Sequence, residues 1–181
     1  MTPMQVRLCM PTLSARRART LLPHLVAAMA EAEICTPLRR AAFLAQLGHE
    51  SVDLRYMEEL ASGSAYEGRR DLGNLLPGDG QRYKGRGPIQ LTGRANYRAA
   101  GEALGLPLEE QPHLAARPSV GFRVAAWYWT NRGLNELADA GDIDEITRRI
   151  NGGMNGAADR RDRFARCLRV FGAEVPAWTA S

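Results

Sequence analysis

Apolar residues recur at helical spacing over most of this chain, and this pattern constrains the fold more than any other feature. Residues three or four apart share one face of an α-helix, so the pattern predicts helices with one buried face. Residues 60–84 interrupt it, because they are rich in glycine and poor in apolar side chains. The predicted helices are 20–33, 37–50, one from Ser119 to a stop at Gly133, one N-capped by Asp142 and ending at Ile150, and 157–170.

Proline and tryptophan refine this prediction. Pro23 falls within the first turn of a helix that starts at Thr20, where proline is tolerated because the first N–H groups have no intrahelical partner. Trp127 and Trp129 lie in the most apolar segment, so we expect them in the core rather than on a ligand-binding surface. A chain of 181 residues can bury such a core without disulfides or metal. We therefore expect one mainly α-helical domain over residues 1–181.

Apolar runs, cysteines and histidines limit the classes of function. No apolar run reaches the roughly 20 residues of a membrane-spanning helix, so no stable membrane insertion is expected. The first residues lack the apolar core of a signal peptide, which predicts synthesis in the cytoplasm. The cysteines are odd in number and the histidines are scattered, so we expect reduced thiols, no metal site and no cofactor. These residues are Cys9, Cys35, Cys167, His24, His49 and His113.

Glu50 and Glu59 lie at the two ends of a short polar segment that follows the apolar run 41–48. Such a pair suits hydrolysis of a glycosidic bond, which needs one protonated carboxyl as acid and one ionised carboxylate to activate water. A carboxyl at the end of an apolar helix is partly desolvated, which favours the acid role for Glu50, whereas Arg55 would keep Glu59 ionised. The other interpretation is two ordinary glutamates on a surface helix.

The spacing of this pair along a helix separates the two interpretations. On one continuous helix, Glu50 and Glu59 would be about 13 Å apart and on opposite faces. An inverting pair needs about 6.5–9.5 Å between its carboxyl groups. The catalytic interpretation therefore predicts that the helix stops before Glu59 and that the chain turns back, with residues 57–59 in a loop or short strand facing Glu50.

A second informative block spans residues 81–97. Gly85, Gly87 and Pro88 impose a non-helical path and leave the backbone open to close approach by a ligand. Polar residues then alternate with apolar ones, as in a short extended segment with one polar face. Their amides and hydroxyls suit sugar hydroxyls, and the flanking tyrosines offer faces for pyranose rings, although a glycine-rich surface turn is the other interpretation. The polar residues are Gln90, Thr92 and Asn96, the apolar ones Ile89, Leu91 and Ala95, and the tyrosines Tyr83 and Tyr97.

Five motifs, found in one order, resemble the family-19 glycoside hydrolases, which comprise chitinases and related phage endolysins. They cover about residues 40–170, which is nearly the whole chain. A lone Gly-Arg-Gly-Pro would be weak, but the ordered set is specific. The motifs are Ala45-Gln-Leu-Gly-His-Glu-Ser51, Tyr83-Lys-Gly-Arg-Gly-Pro-Ile-Gln-Leu-Thr92 with Asn96-Tyr97, Val120-Gly-Phe122 with Ala126-Trp-Tyr-Trp129, Ile150-Asn-Gly-Gly153, and Asp159-Arg160.

The resemblance implies roles for individual residues. Glu50 matches the family's general acid, and Glu59 matches the general base. A shift of one residue in the alignment would assign the base to Glu58 instead. Thr92 falls where the family uses a hydroxyl to hold the attacking water. The residues implied in substrate binding are Gln90, Asn96, Asn151, Tyr83, Tyr97 and Arg160, the last as an arginine that pairs with the acidic cluster.

The resemblance also implies a fold and a substrate. The expected fold is mainly α, lysozyme-like and two-lobed, with a small irregular β or loop element beside an active-site cleft and no separate cell-wall-binding domain. The expected activity is inverting cleavage of β-1,4 bonds between N-acetylhexosamines. Because the chain lacks the disulfide cysteines and several loops of plant chitinases, the endolysin branch is favoured. We therefore expect a monomeric peptidoglycan-degrading enzyme that reaches the wall through a holin or another export route.

Three other interpretations stay open. A chitinase of the same family would use the same residues on chitin. A lytic transglycosylase also places a catalytic glutamate before serine, as in Glu50-Ser51, but needs only one carboxylate. A non-catalytic module could bind wall polymer or nucleic acid through its net charge of +4 and pI near 9.3. The arginines are dispersed among acids and no nucleic-acid-binding signature is present, so we expect bacterial peptidoglycan and no nucleic acid as partner.

Overall fold

The structure, a computed structural model, describes residues 1–174 and is built mainly from α-helices. No helix in this part of the chain is long and apolar enough to cross a membrane. Short 3₁₀ turns lie at Ser64–Tyr66, Arg70–Leu72 and Pro112–Ala116. The helices are α1 (Pro3–Cys9), α2 (Ala15–Glu31), α3 (Pro37–Glu50), α4 (Asp79–Arg82), α5 (Arg94–Leu104), α6 (Pro118–Thr130), α7 (Leu134–Asp139), α8 (Ile143–Asn151) and α9 (Ala157–Phe171).

The larger lobe consists of α1–α3 and α6–α9, and we call it the helical lobe. Its centre is α3, which packs most extensively against α9 and whose residues 41–48 are all buried. Phe43 of α3 meets Trp129 of α6 edge to face, with ring centroids 5.3 Å apart. Trp129 is buried and Trp127 partly buried against this core, as predicted. The end of α3 is therefore held rigidly, and Glu50 lies at that end.

Three predicted helices are confirmed closely because local capping signals define their ends. The hydroxyl of Thr36 accepts from the Arg39 N–H at 3.1 Å and starts α3 with Pro37 as its first residue. Asp142 caps α8 in the same way, and Gly152 ends it in a left-handed conformation. The last helix, α9, begins at Ala157 as predicted and ends one residue later than predicted.

Other boundaries were predicted wrongly. The helix expected from Thr20 starts at Ala15, because Ser14 caps it by accepting from the Arg17 N–H at 3.2 Å. Pro23 therefore lies inside the helix rather than in its first turn. The helix α6 ends before Gly133, which instead precedes α7. Helices α1, α4, α5 and α7 had no predicted counterpart.

The second lobe, residues 56–117, has little regular structure and is called the loop lobe. It contains α4, α5 and a small irregular β element in which Arg86 forms antiparallel bridges to Glu58 and to Leu91. This arrangement of a helical lobe and a loop lobe with a short β element is the fold class predicted from the sequence. The glycine-rich stretch did predict the loops, but not the contacts that hold them in place.

A charged cluster anchors the loop lobe. Asp79 is almost fully buried and accepts two hydrogen bonds from Arg94, at 2.5 Å and 2.9 Å. Arg94 also donates to Glu109 at 3.0 Å, and Arg98 donates to the same carboxylate. The hydrogen bond from Arg98, with that from Arg94, lowers the pKa of Glu109 to about 2. These ion pairs connect the start of α5 to residues on both sides of it.

Candidate active site

Glu50 is the last residue of α3, and its side chain is 21% exposed. Its Oε1 accepts a hydrogen bond from Nη2 of Arg160 at 2.5 Å. Arg160 lies in the first turn of α9, is 1% exposed, and also donates from Nη1 to Oε1 of Gln46. Gln46 in turn donates to the Thr147 hydroxyl at 3.3 Å. The predicted pairing of Arg160 with an acidic group is thus present, and Arg160 is buried behind Glu50.

The chain reverses direction directly after Glu50 through three successive left-handed residues. Val52, Asp53 and Leu54 have φ of 53°, 58° and 59°. This conformation is unfavourable for residues other than glycine, and most of all for a β-branched valine. Ser51 supports it, because its hydroxyl donates to the Leu47 carbonyl at 2.5 Å and accepts from the Leu54 N–H at 2.8 Å. The helix therefore stops before Glu59 as the catalytic interpretation requires.

Contacts from other elements fix this left-handed turn. Asp53 is 3% exposed and accepts from the N–H and the hydroxyl of Thr12, at 3.0 Å and 2.8 Å. Arg163 of α9 donates to the other oxygen of Asp53. Arg17 of α2 donates from Nε to the Leu54 carbonyl at 2.7 Å. Partners from three parts of the helical lobe thus determine a conformation that the local sequence does not favour.

Residues 57–59 then run beside residues 85–87. The Glu59 N–H donates to the Gly85 carbonyl at 2.9 Å, and the Gly87 N–H donates to the Met57 carbonyl at 2.8 Å. The prediction that this segment lies in a loop or short strand is confirmed. Successive side chains of an extended segment point to opposite sides, so Glu58 and Glu59 have different surroundings.

Glu59 is held by neutral donors. Its Oε1 accepts from the Tyr66 hydroxyl at 3.0 Å, and its Oε2 accepts from the Gly85 N–H at 3.0 Å. Burial and the hydrogen bond to Glu59 raise the pKa of Tyr66, so the phenol keeps its proton as a donor. Tyr66 has no role in the sequence prediction, because nothing in the loop-rich stretch around it distinguishes it.

Glu58, by contrast, is ion-paired and more exposed. Its Oε1 lies 3.2 Å from Nε of Arg86 and 3.2 Å from Nζ of Lys84, and its side chain is 44% exposed. The expected partner of Glu59, Arg55, was predicted wrongly: its guanidinium lies over the ring of Tyr56, 5.2 Å from the centroid. Lys84 and Arg86 of the neighbouring segment therefore pair with the carboxylate of Glu58 rather than with that of Glu59.

Gly85 brings three of the predicted site residues together. A side chain at this position would lie 2.7 Å from Oε1 of Gln90, 3.2 Å from Oε2 of Glu59 and 3.4 Å from Oγ1 of Thr92. All three polar groups thus surround one small space that only glycine leaves open. The Thr92 hydroxyl donates to the Gln90 carbonyl at 2.9 Å, which leaves its oxygen lone pairs as acceptors.

Asn96 is close to this group but not in the predicted conformation. It lies in α5, not in the extended segment, and its Nδ2 donates to the Thr92 carbonyl at 2.7 Å. The alternation predicted for this block holds only from Ile89 to Thr92, because Gly93 precedes α5. Asn96 therefore supports the backbone of Thr92.

Tyr83 and Tyr97 were predicted wrongly as platforms for sugar rings. Both are buried, with ring centroids 5.4 Å apart. The Tyr83 hydroxyl donates to the Glu109 carbonyl at 3.0 Å, and the Tyr97 hydroxyl donates to the Lys84 carbonyl at 2.8 Å. Burial raises the pKa of Tyr97 to about 12. These tyrosines form the core of the loop lobe, and their amphipathic rings gave the same sequence signal as a binding surface.

Asn151 and Tyr128 lie on the helical-lobe side. Asn151 is exposed at the end of α8, as a substrate-binding residue must be. The Tyr128 hydroxyl donates to the carbonyl of Ile150 at 3.3 Å. Burial raises the pKa of Tyr128, Arg132 lowers it in part, and the negative charge of Glu50 raises it further. Tyr128 was part of a recognised motif, but its apolar helix had suggested only a core position.

The arrangement offers acid–base chemistry on polar substrates. A carboxyl backed by a buried guanidinium, a second carboxylate held by neutral donors, and a hydroxyl beside that carboxylate are the groups that glycoside hydrolysis needs. Within residues 1–174, no cluster of histidine, cysteine or acidic side chains has the composition of a metal site.

Comparison with known proteins identifies relatives of this chain. A family model described as chitinase class I matches residues 34–161. A family 19 glycosyl hydrolase domain-containing protein of Haemophilus influenzae is 34% identical over 164 residues, which cover 74% of this chain and 80% of that protein. An endochitinase of Arabidopsis thaliana is 46% identical over 114 residues, which cover 62% of this chain but only 39% of the plant protein.

Solved structures show the same fold. A bacterial family 19 chitinase superposes with a TM-score of 0.80 at 25% identity, covering 99% of this chain and 98% of that one. Chitinase C from Streptomyces griseus superposes with a TM-score of 0.77 at 27% identity, covering 96% of this chain and 77% of that one. The helical lobe, the loop lobe and the short β element thus have counterparts in both.

Proposed function

From the premise that this chain belongs to glycoside hydrolase family 19, we propose that it cleaves β-1,4 bonds of bacterial peptidoglycan by an inverting mechanism. Glu50 donates a proton to the leaving oxygen, and Glu59 removes a proton from the attacking water. The Thr92 hydroxyl orients that water. The charge of Arg160 stabilises the carboxylate that remains once Glu50 has given up its proton.

One observation carries the proposal: Glu50 and Glu59 are presented by separate segments and have different partners. Glu50 ends a rigid helix and contacts Arg160, whereas Glu59 contacts the Tyr66 hydroxyl and the Gly85 N–H. An inverting reaction needs two carboxyl groups that flank the scissile bond, one as acid and one as base, and separate segments can present them in this way. The ion pairing of Glu58 with Arg86 and Lys84 supports Glu59 rather than Glu58 as the base.

The preference for peptidoglycan over chitin rests on charge. Chitin is neutral, whereas peptidoglycan carries the carboxylates of its peptides, and this chain has a net charge of +4. Chitin remains the second candidate substrate, because the plant and bacterial relatives are named as chitinases. We also propose that the protein acts as a monomer and reaches the wall after release from the cytoplasm.

Mass spectrometry of the products tests the proposal. Purified protein is incubated with peptidoglycan sacculi and, separately, with chitin oligosaccharides. Inverting hydrolysis gives products with reducing ends, and fast NMR of the oligosaccharide products detects the α-anomer first. Anhydro ends would identify a lytic transglycosylase instead, and the absence of products from both substrates would leave only a binding role.

A further inference from the structure

The net charge of the chain comes entirely from its first 30 residues. This segment contains four arginines, Arg7, Arg16, Arg17 and Arg19, and no acidic residue before Glu31. The other 20 basic residues equal in number the 20 acidic residues, all of which follow from Glu31 onward. The mixing of opposite charges noted for the whole chain therefore does not hold in α1 and the first half of α2.

A cavity of about 530 Å³, open to solvent, lies against this basic segment. Its polar lining is Ser14, Arg16, Arg17 and Thr20, and its apolar lining includes Met57 and Pro118. Glu50, Glu59 and Thr92 do not line it, so it is separate from the catalytic groups.

The two arginines of the cavity differ. Arg17 donates to the carbonyls of Leu54 and Arg55 and so supports the left-handed turn. Arg16 is exposed, and its guanidinium has no hydrogen-bond or ion-pair partner within residues 1–174. Many arginines of the rest of this chain pair with carboxylates, as Arg39 does with Asp139 and Arg161 with Asp144. Arg16 thus offers unpaired N–H donors in a cavity that apolar side chains also line.

Met57 connects this cavity to the active site. It lies two residues before Glu59 in the segment that runs beside residues 85–87. In an extended segment, side chains two residues apart point to the same side and are roughly 7 Å apart. A ligand in the cavity would therefore lie beside the bond that the water activated by Glu59 attacks, on the flank of the substrate strand.

We propose that this cavity binds a carboxylate-bearing stem peptide of the peptidoglycan strand, with Arg16 as the specificity-determining residue. The inference rests on the proposed function, because it concerns the substrate of the same site. Stem peptides combine small apolar side chains with carboxylates, which matches a cavity lined by both apolar residues and arginines. A single-stranded nucleic acid would require aromatic side chains for base stacking, and none lines the cavity.

Matched variants test this proposal. Arg16→Gln removes the free guanidinium, and Arg19→Gln makes the same charge change on the same helix, at an exposed position outside the cavity. Both are made in a Glu50→Gln background, so that no strand is cut while binding is measured. The probe is peptidoglycan sacculi freed of phosphate-containing polymers, sedimented with the protein at low salt.

We expect Arg16→Gln to weaken binding to sacculi about fivefold and Arg19→Gln to weaken it by less than about twofold. Amidation of the sacculus carboxyl groups should abolish this difference. With Glu50 intact, Arg16→Gln should raise KM on sacculi and leave the hydrolysis of neutral chitin oligosaccharides unchanged.

Three results would overturn the proposal. They are an equal loss in both variants, an Arg16 effect that survives amidation, and Arg16-dependent binding to anionic phospholipid vesicles in place of sacculi. Failure of the proposed function is distinguishable, because sacculi would then give no products with reducing ends, while the binding measurement still reports on Arg16.

Discussion

The protein holds the two carboxylates of the proposed pair in opposite ways. Glu50 ends a helix whose core-facing residues are buried, and it contacts Arg160, a guanidinium that is 1% exposed. Glu59 lies in an irregular segment, where the described contacts of its carboxylate come from the Tyr66 hydroxyl and the Gly85 N–H. When it is ionised, Glu50 thus forms an ion pair with a buried guanidinium, whereas the described contacts of the Glu59 carboxylate are with neutral groups.

This difference implies that catalysis and stability are linked at one carboxylate and separate at the other. Removing one partner of a buried ion pair is costly, because the remaining charge is left without compensation. Removing the charge of Glu59 has a smaller consequence, since the glutamine oxygen can accept from the Gly85 N–H while its NH2 donates to the Tyr66 hydroxyl oxygen. Activity and thermal stability measured on the same variants therefore distinguish the two environments.

The largest effect is expected from Glu50→Gln. The amide cannot donate a proton, so kcat should fall by about 10²–10⁴-fold. Where Glu50 is ionised in the resting enzyme, Arg160 also loses its counter-charge, so the free energy of unfolding should fall there by about 2 kcal/mol and Tm by about 4–8 °C. Differential scanning fluorimetry and a turnover assay measure both. An inactive variant with an unchanged Tm would contradict the buried-pair interpretation while leaving the acid role intact.

Glu59→Gln should lower kcat by about 100-fold or more with little change in Tm, since the Gly85 N–H keeps its acceptor and the Tyr66 hydroxyl can accept from the new NH2. Glu58→Gln is the matched control, because it changes the neighbouring carboxylate in the same way. Glu58 itself is 44% exposed although Arg86 is buried, so we expect less than about a tenfold loss of activity and a modest fall in Tm. The assignment of the base would be reversed if Glu58→Gln proved the more damaging variant.

Thr92→Val tests the group beside Glu59 and should have a smaller effect. The change keeps the side-chain volume but removes the hydroxyl, so kcat should fall about tenfold or more with little change in KM. Thr92→Ser restores the hydroxyl and should recover most of the activity. Steady-state kinetics on both variants would rule out the water-positioning role if valine and serine gave the same kcat.

The smallest expected effect concerns the anchor of the loop lobe that carries Glu59. The folded-state pKa of Glu109 is about 2, below its ordinary value, because Arg98 and Arg94 donate to it. Its contribution to stability is therefore complete above the ordinary pKa and is lost as the pH falls towards 2. Glu109→Gln should lower the free energy of unfolding by about 1–2 kcal/mol at pH 7, and this deficit should shrink between about pH 4.5 and 2.

Glu110→Gln is the control for this comparison, because Glu110 is exposed and adjacent in sequence. Chemical denaturation at several pH values measures both variants. A deficit for Glu109→Gln that does not depend on pH would show that the ion pairs with Arg94 and Arg98 do not stabilise the loop lobe.

The sequence predicted what is determined locally. The ends of α3 and α8 follow from Thr36, Pro37, Asp142 and Gly152, whose caps involve only nearby residues. The stop of α3 before Glu59 was predicted from the demands of catalysis, not from any turn signal. Val52-Asp53-Leu54 is not a turn sequence, and its conformation depends on partners distant in the chain.

Prediction was weakest where a side chain could serve two purposes. A tyrosine beside a glycine-rich loop suits both a sugar-binding surface and a core. Tyr83 and Tyr97 are core residues, and each hydroxyl donates to a backbone carbonyl. The contact between Glu50 and Arg160 spans 110 positions, so no spacing rule could reveal it, and only the family resemblance pointed to it. Tyr66 gave no signal at all.

The left-handed turn after Glu50 has a consequence for insertions and deletions. Side chains alternate along residues 57–59, so an insertion of one residue in the turn would put Glu58 in the place of Glu59. Relatives could therefore differ freely in the identity of exposed Val52, but not in the number of residues between the two carboxylates. An in-frame insertion of one residue here would leave both glutamates in the gene and present the ion-paired one to the substrate.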